Sequence, residues 1–250
     1  MWRWLHPYAK PEATYRLNKK LLPWFAWPGV VLLAVGLVWG LVFAPADYQQ
    51  GDSYRIIFIH VPSAMWAMGF YVGMAVAALI AVVWQIRTAE WALMAIAPVG
   101  AVLTFISLFT GAIWGHPMWG TWWIWDARLT SQLILLFLYL GVMALYVAFE
   151  DQRTGAKAAG ILAMVGVINI PIIHYSVYWW NTLHQGSTIT QMVTRLEAPT
   201  MPAEMLWPLL VNLFGFLGVC AALVIMRLNN EILRREVRRP WAIAILKGGQ

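Results

Sequence analysis

Apolar positions along the 250 residues gather into six long runs separated by shorter polar segments. The runs are Leu22–Ala44, Val61–Trp84, Ala92–Trp114, Leu129–Phe149, Gly160–Trp180 and Leu206–Met226. Each exceeds the roughly 20 residues that a helix needs to cross a hydrocarbon core about 30 Å thick. In lipid, every backbone N–H and C=O must find its partner within the segment, so the runs are predicted to be helices. The expected fold class is an all-α integral membrane protein. Its six transmembrane helices form a single polytopic domain over residues 1–250, with a tryptophan-rich loop between the third and fourth helices. A soluble bundle with several buried helices is excluded, because the runs are too long and too free of charge. The chain shows no internal repeat and no low-complexity tract.

Charge supplies a direction. Only 11% of the residues are charged, against about 25% in ordinary soluble domains. Fourteen of the seventeen Lys and Arg residues fall in 1–21, 85–91, 150–159 and 227–250, all on one side of the predicted membrane path. The other side has Arg55, Arg128 and Arg195. The positive-inside rule then puts both termini in the cytoplasm and the tryptophan-rich loop on the outer face. The net charge of +6 follows this topology and does not indicate a nucleic-acid partner. The basic, amphipathic tail from 227 to 250 is expected to lie on anionic lipid or to dock a partner. Cys220 is the single cysteine. It lies in an apolar run, so the chain has no intrachain disulfide, no CxxC pair and no CxxCH haem-attachment site. The first run is too long for a signal-peptide core and reads as a retained anchor.

The chemistry concentrates on the outer side. Residues 114–130 read WGHPMWGTWWIWDARLT, with Trp114, Trp119, Trp122, Trp123 and Trp125 inside twelve positions. Tryptophan pairs at helix ends usually form an interfacial belt, which is adequate for Trp24, Trp27, Trp84, Trp91, Trp179, Trp180 and Trp207. Five indoles in one loop exceed what anchoring needs and suit a large flat aromatic ligand. His60 precedes Val61-Pro62, where proline is tolerated in a first helical turn, so it should sit at the outer lip of the second helix. His184 follows the fifth helix. Two neutral imidazoles with an aromatic shelf between them suit haem, whose iron takes axial nitrogen ligands. Arg55 and Arg128 are candidates for the propionates. Gly115 and Gly120 would let the backbone approach a ring. Asp126 could orient an indole N–H or Arg128, or face a ligand edge. His116 is a weaker ligand candidate, and His174 is expected to make an interhelical hydrogen bond inside the fifth helix.

These residues carry a family resemblance. The WGTWWIWDARLT segment resembles the signature of the WWD-domain haem-handling proteins. Six spans with one histidine before the cluster and one after it narrow this to the CcmC (haem exporter protein C) family of bacterial cytochrome c maturation. FAPADYQQGDSYRIIFIHVPSAMW and NTLHQGST extend the resemblance. It implies a complex in the bacterial inner membrane with ABC transporter subunits and a small single-span subunit. It also implies haem b held at the periplasmic face and presented to a periplasmic haem chaperone. His60 and His184 would be the two axial iron ligands. Trp114, Trp119, Trp122, Trp123, Trp125 and Asp126 would contact the haem edge, beside the Gly120, Arg55 and Arg128 that the residue chemistry already offers.

The expected role is haem binding and transfer by a non-enzymatic subunit, with any ATPase on a separate chain. Three alternatives differ in what they require. A quinol-oxidising cytochrome b needs histidine pairs within the spans, where only His174 lies. A haem–cytochrome c synthetase of the same superfamily is longer and carries further spans. A transmembrane haem channel needs a polar path; no charged ladder crosses the apolar runs, and the fifth run offers Asn169 and His174.

Overall fold

The computed structural model describes residues 9–180, 182–184 and 201–248. Arg195 therefore lies outside the described residues. The spans of the described chain are helical, with one break in the fifth. Helix α1 (Pro11–Val38) passes into a π-helical turn, Trp39–Phe43. A 3₁₀ turn, Asp52–Ile56, leads into α2 (Ile57–Trp84), and α3 (Arg87–Trp119) and α4 (Ala127–Val147) follow. The remaining helices are α5 (Gln152–Gly166), α6 (Asn169–Trp179), α7 (Ala203–Arg235) and the short α8 (Pro240–Lys247). Six candidate membrane spans result, the fifth made of α5 and α6 together.

The helices run past the apolar runs at several ends. Helix α3 begins five residues before its run and continues to Trp119, so the first two indoles of the cluster are helical. The fifth span differs in kind, because it breaks at Val167–Ile168. Pro171 explains the break: it has no N–H, and its ring collides with the carbonyl four residues back. Here that carbonyl belongs to Val167, which accepts from the Ile170 N–H at 3.0 Å instead. The Asn169 side chain donates to the Ser131 carbonyl at 2.8 Å, which ties the break to α4.

Close backbone packing holds the first and last spans together. A Cβ on Gly29 would lie 2.6 Å from the Gly218 carbonyl carbon, so α1 and α7 touch backbone to backbone. Small residues at such crossings are how helices pack in lipid, where burial of apolar area supplies no drive. A buried Asn18–Asn229 hydrogen bond of 2.9 Å pins the same pair. Helices α2, α3, α4 and α5 share a second core in which Tyr71, Met74, Leu135 and Tyr139 are fully buried. The Tyr71 and Tyr139 rings meet edge to face at 5.0 Å, and the Tyr139 hydroxyl donates to the Ala67 carbonyl at 2.8 Å.

The bundle has two chemically distinct ends. At one, Tyr15, Trp91, Leu228 and Ile232 form a cluster joined by Trp241 of α8. Beside it the Tyr146 hydroxyl donates to Glu90, and Arg235 bonds Glu231, Gln152 and Tyr146. At the other end, Ala44, Tyr54, Phe58, Met205 and Leu209 pack together. This gathers the end of the first span and the starts of the second and sixth.

Replacing Gly218 by Leu forces α1 and α7 apart and is expected to destabilise by about 1–3 kcal/mol, the range for overpacking. Val31→Leu, on the exposed face of α1, should leave stability unchanged. Thermal unfolding of the purified protein in detergent compares the two.

Candidate functional site

Helix ends build the site. Helix α3 stops at Gly120, whose φ of +73° is the left-handed conformation that glycine adopts freely, and its N–H returns to the His116 carbonyl at 2.9 Å. The chain then crosses Thr121–Trp125 and re-enters helix at Asp126. Asp126 Oδ1 accepts from the Leu129 N–H at 2.7 Å, the N-cap of α4. Gly115 is buried for a local reason. A Cβ there would lie 3.1 Å from the Trp119 ring, so the glycine seats the indole one turn later.

His60 and His184 are 124 positions apart, yet they line one cavity. It has a volume of about 40 Å³, and Met68, Ser107, Gly111, Arg128 and Gln132 share its wall. His60 stands in the first turn of α2. Its Nδ1 lies 3.1 Å from the Thr110 hydroxyl of α3, and its ring meets Trp114 edge to face at 5.7 Å. Trp114 in turn donates to the Gln50 side chain at 3.0 Å, which ties the segment before α2 to α3. His184 meets Trp119 edge to face at 4.9 Å.

Asp126 joins the two halves of this arrangement. While Oδ1 caps α4, Oδ2 lies 3.6 Å from His184 Nδ1. That is beyond hydrogen-bond length, so the contact is electrostatic. Burial favours the neutral carboxyl, but the His184 ring and the Leu129 N–H outweigh it and hold the Asp126 pKa below its ordinary value. Trp123 Nε1, Asp126 Oδ2 and His184 Nδ1 are buried without a hydrogen-bond partner among the described residues. A buried polar atom left unsatisfied costs about 1–3 kcal/mol. Two of them, Asp126 Oδ2 and His184 Nδ1, lie 3.6 Å apart and mark a place where a polar ligand edge, or a small movement, gains free energy.

The indoles divide into two sets. Trp114, Trp119 and Trp123 are half-buried and engaged, whereas Trp122 and Trp125 are 57% and 73% exposed. Exposed His116 stacks on Trp122 at 4.3 Å.

Comparison with known proteins gives this constellation a context. The family model described as Heme exporter protein C matches residues 4–243. The Heme exporter protein C of Haemophilus influenzae is 58% identical over 245 residues, covering 98% of each chain. That of Escherichia coli K12 is 57% identical over 251 residues and covers all of both chains. That of Bradyrhizobium diazoefficiens is 47% identical over 230 residues, covering 92% of this chain and 86% of its own. The chain belongs to the Heme exporter protein C family.

The remaining sequence candidates fall into different surroundings. Arg128 faces the histidine cavity. Arg55 does not line it: its guanidinium bonds Asp52 at 2.8 Å and the Gly40 carbonyl at 3.1 Å, which closes the turn before α2. His174 sits edge-on to Tyr175 of its own helix at 4.8 Å and makes no hydrogen bond to a neighbouring helix among the described residues. Sequence reasoning passed over Thr110, Gly111, Ser107 and Gln132. Their signal was a run of small and polar residues one to two turns before Trp114, in phase with a glutamine one turn into α4.

Asn caps a helix as well as Asp. Asp126→Asn is therefore expected to keep the stability of the parent, while Asp126→Ala loses about 1 kcal/mol. Thermal midpoints of the two variants in detergent separate the cap from the charge that faces His184.

Proposed function

We propose that this multi-pass membrane protein binds haem b at the tryptophan-rich end of its bundle and presents it to a periplasmic haem chaperone during cytochrome c maturation. It does so as a binding and transfer subunit rather than an enzyme. Its partners are ABC transporter subunits, whose ATPase is a separate chain, and a small single-span subunit. Both termini and the basic end face the cytoplasm, and the tryptophan-rich end faces the periplasm, as the positive-inside distribution indicates.

The observation that carries this reading is the shared cavity of His60 and His184 with Arg128. In each histidine Nδ1 faces a group of the protein: the Thr110 hydroxyl for His60 and the Asp126 carboxylate for His184. Metal-bound histidines typically use one ring nitrogen in this way and give the other to the metal. The donor set therefore fits haem iron, and Nε2 of His60 and of His184 would be the ligating atoms. Arg128 would pair a propionate, while Arg55 serves its own turn. The exposed Trp122 and Trp125 rings offer an apolar shelf to the ring edge.

The fit also sets a condition. A 40 Å³ cavity has room for a few waters at most, far less than a porphyrin fills. Haem reaches both imidazoles only if His184 draws back from α2. His184 stands outside the helices, after the end of α6, so this costs no helical hydrogen bonds. Below the cavity the bundle is filled by Tyr71, Leu135 and Tyr139, which favours presentation at the surface over passage through the bundle.

His60 and His184 together would hold the iron and leave it no open position for oxygen chemistry, as a carrier requires. Tight holding opposes delivery, since each tenfold in affinity adds about 1.4 kcal/mol to release. Release therefore needs acceptor contacts or ATPase work. Double replacement of His60 and His184 by Ala is expected to remove the low-spin haem spectrum of the purified protein. An unchanged spectrum overturns the ligand assignment.

A further inference from the structure

We propose that Thr110 is a positioning residue: its hydroxyl accepts a hydrogen bond from Nδ1–H of His60, so that Nε2 is left without a proton. The role of Nε2 as an iron ligand rests on the reading above; the tautomer does not.

Proton bookkeeping decides the direction of this bond. The Thr110 hydroxyl has one proton. Its oxygen lies 2.7 Å from the Ile106 carbonyl, one helical turn back, and 3.3 Å from the Ser107 carbonyl. Both are acceptors only, so the hydroxyl proton is committed to the helix backbone. The oxygen can then meet His60 Nδ1 at 3.1 Å only by accepting, and the ring proton must be on Nδ1. The opposite tautomer would present two lone pairs to each other, or would pull the hydroxyl proton from its carbonyl. Thr110 is buried, and an unsatisfied polar atom is costly there.

The neighbouring residue seats the ring. A Cβ on Gly111 would lie 2.9 Å from His60 Cε1 and 3.4 Å from Nδ1. The imidazole edge thus lies on the bare backbone of α3, where a larger residue would push it off. Trp114, on the next turn, closes the other side with its edge-on contact. One face of α3 therefore supplies an acceptor, a seat and a wall at positions 110, 111 and 114. Asp126 faces Nδ1 of His184 from α4, so each imidazole is oriented by a different helix.

The full-length protein, labelled with ¹⁵N-histidine and prepared free of haem, tests the tautomer directly. The His60 signals, assigned by their loss in His60→Ala, are expected to show a protonated Nδ1 and an unprotonated Nε2. Thr110→Val should abolish that preference, and Thr110→Ser should restore it. Hemin titration is expected to show a 10- to 100-fold loss of affinity in Thr110→Val, the range for losing such an orienting partner, with recovery in Thr110→Ser. An unprotonated Nδ1 in the parent overturns the proposal. So does a Thr110→Val protein that keeps both the parent tautomer and the parent affinity. If His60→Ala binds hemin as the parent does, the ligand reading fails. The ¹⁵N result then still stands or falls alone.

Discussion

A helix in hydrocarbon must satisfy its own backbone, and this constraint decides where the protein can do chemistry. Within a span, peptide groups are consumed by the helical ladder and side chains face lipid or one another. Free polar groups occur at helix ends and breaks. The candidate site is assembled from such places: the first turn of α2, the left-handed stop of α3, the cap of α4 and the stretch after α6. His60, Gly120, Asp126 and His184 each occupy one of them.

The same constraint shapes the interior. Polar side chains inside the spans bond backward to their own helix or to a neighbouring carbonyl, as Thr104, Ser63 and Asn169 do. Thr110 makes that backward bond and also keeps an oxygen lone pair for His60. Asp126 divides its two oxygens in a similar way between a helix cap and a histidine. These double duties make the site rigid on the α3–α4 side. His184 stands outside the helices, and its Nδ1 and the facing Asp126 Oδ2 are buried without a hydrogen-bond partner among the described residues. A rigid half and a half that can still gain contacts suit a protein that must both take a ligand and part with it.

Much of the architecture was legible along the chain. Length and freedom from charge identified six spans, because crossing hydrocarbon imposes a minimum that few other folds meet. The tryptophan cluster and its two flanking histidines were legible as a candidate site because their residue types are costly and unusual there. The break in the fifth span was visible in Pro171 but passed unread inside an apolar run. Arg55 and Arg128 looked equivalent as outer-side cations. Their difference depends on where Asp52 and the Gly40 carbonyl lie in space.

The sequence by itself therefore determined the membrane class, the family and the inventory of reactive side chains. Periodicity, charge asymmetry and residue chemistry are properties of the chain read in order. The tertiary structure alone decided which of those side chains meet. It brought His60 and His184 to one cavity, turned Arg128 toward it and Arg55 away. It also placed the Thr110 hydroxyl against one imidazole and the Asp126 carboxylate near the other. Such contacts depend on the packing of helices far apart in sequence, and no local pattern encodes a distance between them.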